Sequence, residues 1–346
     1  MKHLYLKGLV VLALVSVFAL FGCKHKITPE EFAKNLHPQY TLKSHNNPVL
    51  TIAYSPDGKL IVTTDSQGEI IFWDPETGEQ KKLTKFHDIP LYAMAFSPDG
   101  KFIAMAGKDQ AVILFDTKNI DALPTSFIAH NDEIYSIAWG PNHIFASASC
   151  IERDPRNWCI KGEVAVWKLE KIGQNPLEVK RFPDHGDWIN AIAVSPNGKY
   201  IATGGGDNVI NIYSTKTWEL LKTLQGHTGR ISALAFPDRN SGLLGSASMD
   251  GTVRIWTVPD GDQEKLMKSE GGRFMAMAFN PDGKMVAAGG ADQKIMIWLA
   301  KKEKVLKELA GLEGQVSSLA FSPDGTALAA GLYDSNIQIW KAEIPK

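Results

Sequence analysis

Apolar and polar positions recur along this chain in seven tandem units. Each unit closes on a short, mostly β-branched run that ends in an aromatic residue: IIFWD (Trp73), VILFD (Phe115), VAVW (Trp167), INIY (Tyr213), VRIW (Trp256), IMIW (Trp298) and IQIW (Trp340). Successive aromatics are 42, 52, 46, 43, 42 and 42 residues apart, and a repeat of that period signals an array. A run of small residues precedes each, and a turn stands before that. The turn is SPDG at 55–58, 97–100 and 322–325, SPNG at 195–198 and NPDG at 280–283; GPNH (140–143) and FPDRN (236–240) are degenerate versions. Proline, Asn/Asp and glycine in this order punctuate strands. In the fifth unit RISALAF, LLGSAS and TVRIW predict three strands that are almost continuously apolar, as strands packed on both faces must be. EKLMKS predicts a fourth, polar and charged like an exposed edge. The expected class is therefore all-β, in four-stranded antiparallel units.

These units resemble the WD-repeat β-propeller family over roughly residues 39–340. The resemblance implies a seven-bladed ring of four-stranded blades. Five units carry the family's histidine before the first strand: His45, His87, His130, His185 and His227; EGGR and LEGQ replace it in the last two. Six carry a turn aspartate between the second and third strands: Asp65, Asp109, Asp207, Asp250, Asp292 and Asp334. The resemblance further implies a buried His–Asp–Ser/Thr–Trp network, here His227, Asp250, Ser248 and Trp256, and likewise His45, Asp65, Thr63 and Trp73. A Ser–His–Asp set would also suit a hydrolase. Its recurrence in unit after unit favours a fastener, because buried polar groups persist when they are satisfied. His227→Ala is then expected to cost about 1–3 kcal/mol of stability and no catalysis. The last unit stops after its third strand at Trp340, while YTLKS (40–44) is a spare strand before the first unit. The N-terminal strand is expected to complete the last blade and close the ring.

The first 22 residues change the picture of where the chain resides. MKHLYLK is a short positive segment, and GLVVLALVSVFALF is a 14-residue apolar run, within the length of a signal sequence and short for a membrane span. LFGC, Leu20 to Cys23, resembles a bacterial lipoprotein signal. That implies cleavage before Cys23 and lipidation of its thiol, although Phe21 stands where a small residue is usual. A single uncleaved anchor helix is the other reading. By the same resemblance Lys24 favours the outer membrane, with the protein on the cell envelope facing the periplasm or exterior. The expected organisation is a signal peptide at 1–22, a tether at 23–38 and the propeller at 39–346.

With Cys23 set aside, Cys150 and Cys159 form an even pair, and export would place them in an oxidising compartment. Two free thiols are the alternative. The pair bounds an insert, CIERDPRNWC, between the second and third strands of unit 3. Paired strands bring such residues within bonding range, and closing a loop of that size stabilises by roughly 2–3 kcal/mol. In the resembling fold the turn between strands two and three lies on the face that commonly meets partners. The insert should therefore present Arg153, Arg156 and Trp158 there. The family's contact positions fall on Tyr92, Tyr135, Trp188, Arg230, Met249, Arg273, Met275 and Tyr333. Each singly fits a core residue; together they have the aromatic, Arg and Met bias of an interface.

Composition excludes more than it identifies. The 346-residue chain is 44% hydrophobic and 22% charged with net charge −1, which offers no electrostatic case for nucleic acid. GGGD (204–207) ends a strand and does not open a helix; no Cys or His cluster has metal spacing, and no cofactor signature is present. The expectation is a lipid-anchored, non-catalytic scaffold that binds protein partners through the top face. Two alternatives remain: an accessory subunit or assembly factor of an envelope complex, and a propeller enzyme or glycan binder that uses the channel mouth.

Overall fold

The computed structural model describes residues 27–343 except 87, 172 and 270. Cys23 and the leader lie outside the described residues. Seven four-stranded antiparallel sheets form the blades. Blade 1 holds β2 (Val49–Tyr54), β3 (Ile61–Asp65), β4 (Glu69–Trp73) and β5 (Gln80–Lys85). Blade 2 holds β6 (Ala93–Phe96), β7 (Phe102–Ala106), β8 (Ala111–Asp116) and β9 (Thr125–Ile128). Blade 3 holds β10 (Ile134–Trp139), β11 (Ile144–Arg153), β12 (Cys159–Lys168) and β13 (Leu177–Asp184). Blade 4 runs through β14 (Ile189–Val194), β15 (Tyr200–Gly205), β16 (Ile210–Ser214) and β17 (Leu220–Leu224). Blade 5 runs through β18 (Ile231–Ala235), β19 (Leu243–Ser248), β20 (Thr252–Thr257) and β21 (Gln263–Lys268). Blade 6 runs through β22 (Phe274–Phe279), β23 (Met285–Gly290), β24 (Ile295–Leu299) and β25 (Lys304–Leu309). Blade 7 combines β26 (Val316–Phe321), β27 (Ala327–Leu332) and β28 (Ile337–Ala342) with β1 (Leu36–Leu42).

The repeated turn builds each blade locally. Ser55 Oγ donates to Asp57 Oδ1 at 2.6 Å and accepts the Leu60 amide at 3.0 Å, while Gly58 takes φ +73°. The same Ser/Asp pairing recurs at Ser97 and Asp99 and at Ser322 and Asp324. In the degenerate GPNH turn, Asn142 and His143 adopt the positive φ themselves. Asn tolerates that conformation better than most residues, so the turn survives without its glycine. The second strand is fully buried, as in β3 and β7, because blades press on both its faces. The outer strand is exposed: β17 buries only its last residue.

Ring closure is as expected in kind and larger in extent. β1 pairs antiparallel with β28 from Leu36↔Ala342 to Leu42↔Ile337, so the closing strand begins well before Tyr40. Upstream of it, residues placed in the tether form a helix, α1 (Pro29–Asn35). Thr28 caps it, Glu31 completes a capping box and Pro29 occupies the first turn. Phe32 and Leu36 are 0% and 1% exposed. They pack with Met285, Ile297, Phe321 and Trp340 between blades 6 and 7. Lys307 Nζ donates to the Leu36 carbonyl at 2.7 Å. The reason is amphipathicity: a capped helix with a phenylalanine beside an apolar seam buries that face and does not remain a free linker.

Candidate functional site

The histidine networks come first, because they set the shape of the top face. In blade 5, Trp256 Nε1 donates to Ser246 Oγ at 2.9 Å, Ser246 Oγ lies 2.7 Å from His227 Nε2, and His227 Nδ1 lies 2.9 Å from Asp250. The hydroxyl is thus Ser246 and not Ser248. Ser248 Oγ instead donates to the Gly229 carbonyl at 2.8 Å and accepts the Asp250 amide at 3.1 Å. Blade 1 explains the misplacement. Asp65 pairs with Val49 where Ser248 pairs with Ile231, so Asp65 sits two positions early and Gln67 occupies the turn position of Asp250. Counting back from the aspartate therefore finds Thr63 in blade 1 and the wrong serine in blade 5. Counting ten back from the aromatic finds both, since Trp73 donates to Thr63 at 2.9 Å. In blades 6 and 7 that position holds Ala288 and Ala330, both fully buried. Histidine and hydroxyl are lost together there, although in blade 6 the turn aspartate, Asp292, keeps a buried Oδ1 with no hydrogen-bond partner among the described residues.

The networks differ in charge. Burial pushes the imidazole of His227 below its ordinary range despite Asp250, and does the same to His130 despite Glu163. A neutral His227 then donates from Nδ1 to Asp250 and accepts the Ser246 hydroxyl at Nε2. In blade 4 burial also opposes the charged form, but Asp207 and Asp184 outweigh it and raise His185. His185 Nδ1 lies 2.9 Å from Asp207, and Nε2 lies 3.0 Å from Thr203 Oγ1, whose hydroxyl turns to Asp184. Blade 3 uses Glu163 in place of the turn aspartate, 2.6 Å from His130 Nδ1 and 2.7 Å from Arg181 Nη1. Sequence reasoning missed Glu163 and Arg181 because the insert displaced the turn.

Two predictions follow from these protons. Ser246→Ala strands both the His227 Nε2 and the Trp256 N–H, and is expected to cost about 2–4 kcal/mol in urea unfolding. An effect below that of Ser248→Ala would contradict the assignment. The second concerns acid. A depressed histidine (His130, His227) contributes stability above pH 6.5 that is lost as pH falls, whereas raised His185 contributes below 6.5 and loses it as pH rises. From about pH 7 to about pH 5.5, His185→Gln should therefore lose stability more steeply than the native protein, and His227→Gln less steeply. Parallel slopes in all three would refute the charge assignment.

The predicted partner residues divide into a joined group and scattered ones. Cys150 and Cys159 are bonded, with Cα atoms 5.9 Å apart, in the outer part of an extended β11–β12 hairpin, where Cys150 lies opposite Gly162 and Cys159 opposite Arg153. Arg153 folds back from it onto Asp132, with Nη2 2.8 Å from Oδ1, and its guanidinium lies 5.8 Å from the Trp188 ring centre. Trp158 and Trp188 rings are 5.1 Å apart, Tyr135 meets Trp188 at 6.4 Å, and Tyr92 stacks on Tyr135 at 5.7 Å. Blades 2, 3 and 4 thus present one continuous aromatic strip around an arginine. Trp158 is 55% exposed, and the Trp188 indole N–H has no acceptor among the described residues. Burial, with Glu133 nearby, pushes the Tyr135 phenol up to about 12, so it remains a neutral hydrogen-bonding group. Arg156 points outward and pairs with Asp154. Tyr333, Arg230 and Arg273 are exposed and Met249 is half-buried, outside the stacked group. Met275 lines the central channel. Asp132, which anchors the insert, was not singled out; its position two residues after His130 is the signal that could have found it.

The inner strands of all seven blades line that channel, about 240 Å³ at the top. The opposite mouth widens to about 800 Å³ and is rimmed by prolines of the repeated turns, including Pro56, Pro98 and Pro196, with Asp238 and Arg239 as its charged groups. No described helix is long and apolar enough to cross a membrane.

The comparisons agree with this geometry. The family "WD domain, G-beta repeat" matches residues 36–74, 78–116, 177–214, 218–257, 265–298 and 303–341. Those windows leave out the first three strands of blade 3, where the insert breaks the repeat, although all four of its strands are formed. A relative, the guanine nucleotide-binding protein G(I)/G(S)/G(T) subunit beta-1 of Homarus americanus, is 29% identical over 170 residues. The match covers 47% of this chain and 45% of the relative, so the chain spans less than half of that relative's length. With seven closed blades and six matched repeats, the chain belongs to the WD domain, G-beta repeat family.

Proposed function

We propose that this protein is a lipid-anchored, non-catalytic platform that binds a protein partner at the bacterial cell envelope through the top of blades 2 to 4. The observation that carries the reading is the strip Tyr92–Tyr135–Trp188–Trp158 around Arg153. Aromatics and arginine are the residue types on which binding energy concentrates, and the disulfide with the Arg153–Asp132 pair holds the strip before a partner arrives. Pre-ordering of this kind lowers the entropy cost of association. The lobster relative is named as a subunit, one chain of an assembly; by likeness, this chain is read as a binding component.

The anchor is the lipidated Cys23, in the outer membrane by the Lys24 rule. Only residues 24–28 separate it from α1, a reach of about 20 Å. α1 packs at the end of β28 nearest the repeated turns, opposite the aromatic strip. The propeller would stand close to the membrane, with its strip turned away. The test is crosslinking of intact cells, followed by capture of the native protein and of a folded Trp158→Ala, Trp188→Ala variant. Specific partners recovered only with the native form support the platform. Equal recovery from both would overturn it. Release of a Cys23→Ser variant from the membrane fraction tests the anchor separately.

A further inference from the structure

His45, Asp65 and Glu69 of blade 1 form a site that the fastener does not explain. In blades 3, 4 and 5 each histidine Nδ1 faces a carboxylate at 2.6, 2.9 and 2.9 Å. In blade 1 Nδ1 is 3.4 Å from Asp65 Oδ2 and 3.8 Å from Glu69 Oε2, and neither contact forms a well-aligned hydrogen bond. His45 is 6% exposed, yet its Nδ1 and the Glu69 Oε2 have no hydrogen-bond partner among the described residues. Two carboxylates converge on one buried, unpartnered nitrogen, and all three donor atoms lie within 4.8 Å of one another.

We propose that blade 1 binds a first-row divalent cation, best matched by Zn2+, through His45 Nδ1, Asp65 Oδ2 and Glu69 Oε2. Bonds of about 2.0–2.2 Å in a tetrahedron put ligand atoms about 3.3–3.6 Å apart, close to the two separations from His45 Nδ1, with the carboxylate oxygens within 4.8 Å of each other. The supporting contacts suit ligation. His45 Nε2 is 2.7 Å from Thr63 Oγ1; with the ring N–H at Nε2 donating to that oxygen, the ring is fixed and the Nδ1 lone pair is left for the ion. Asp65 Oδ1 accepts the Gln67 and Glu69 amides, each at 2.9 Å, and so turns Oδ2 inward, where Asn47 Nδ2 reaches it at 3.3 Å. Lys85, opposite Glu69 in the ladder, places its ammonium on Asp88 at 2.6 Å. The Glu69 side chain is 18% exposed, which gives an ion entry and leaves room for a fourth ligand, water.

The cause lies in the two-position shift of Asp65 together with a glutamate where blade 5 has Thr252. Thr252 Oγ1 donates to Asp250 at 2.6 Å and completes a network with a single negative charge; Glu69 brings a second one instead. The place is also significant. His45 follows Leu42, the last residue of the closing strand, by three positions, and so stands where the chain passes from blade 7 into blade 1. A bound ion would staple the seam of the ring.

The test uses the purified protein stripped with a chelator, titrated with Zn2+ by calorimetry and with Co2+ by visible absorption. Glu69→Thr removes one carboxylate by placing there the residue that blade 5 has, Thr252, and should fold; its circular dichroism checks this. Asp250→Asn is the control in a blade without the site. The native protein and the control are expected to take up one equivalent and to unfold at a higher temperature with Zn2+. Glu69→Thr should bind at least about tenfold more weakly and lose that rise. No saturable uptake by the native protein, or uptake undiminished in folded Glu69→Thr, would overturn the proposal.

Discussion

A chain beginning at residue 43 should fail to form a cooperatively folded ring. The missing segment carries Phe32, Leu36 and Leu42, all buried, and six register pairs with β28. Truncating one such phenylalanine costs about 3–5 kcal/mol and one leucine about 2–5. Together these are comparable to the whole stability of a typical domain, about 5–15 kcal/mol. The loss also turns β28, now an inner strand, into an apolar edge that invites aggregation. Phe32→Ala alone separates the helix from the strand: it should lower stability by about 3–5 kcal/mol in a protein that still closes. Calorimetry of both forms checks this. A truncated chain that melts cooperatively at the native temperature would show that β1 and α1 are ornaments.

Asp184→Ala should be the most damaging single change in blade 4, by about 3–5 kcal/mol in urea unfolding. This carboxylate accepts Asn211 Nδ2 at 2.6 Å, the Tyr213 hydroxyl at 2.7 Å and the His185 amide at 3.0 Å, besides the Thr203 hydroxyl. It is 6% exposed. Removing it strands these donors and takes one of two anions from the raised His185, so the imidazole should titrate lower in the variant. Asp184→Asn keeps the volume and part of the hydrogen bonding, and should cost less. A cost under about 1 kcal/mol for the alanine variant would mean that water replaces the carboxylate easily.

The architecture was legible in the sequence because the signal repeats. An aromatic at the end of a β-branched run, a buried second strand rich in small residues and an Asp/Gly turn recur through the chain, so tertiary context had little to override. The insert was legible for the same reason: a departure from a known period marks its own boundaries, and Cys150 and Cys159 stand at them. What escaped was position within the repeat. Asp65, the guide in blade 1, stands at the strand position of Ser248 itself, so the spacing from the aspartate leads to Ser248 in place of Ser246. The helix over Pro29–Asn35 lies in the segment read as tether, where PEEFAKNL allows a helical turn or two and Thr28, Pro29 and Glu31 spell its start; what the sequence could not supply was the apolar seam that receives Phe32. Glu163 and Arg181 were hidden by the insert that displaces the turn, and the role of Asp132 rests on Arg153, which reaches it from another strand. The same holds for His45, Asp65 and Glu69, whose spacing resembles no metal motif until the sheet folds them together.

The central claim is that this ring recognises its partner through the top of blades 2 to 4. A photoreactive phenylalanine analogue placed singly at Trp158 and Tyr333, and at Lys216 and Lys301 in turns at the opposite end, tests it in intact cells. All four positions are exposed, so reach to solvent does not bias the result. The account predicts a discrete crosslinked product at Trp158, a weaker one or none at Tyr333, and none at Lys216 or Lys301. A product at the two lysines without one at Trp158 would contradict it and place recognition on the other face.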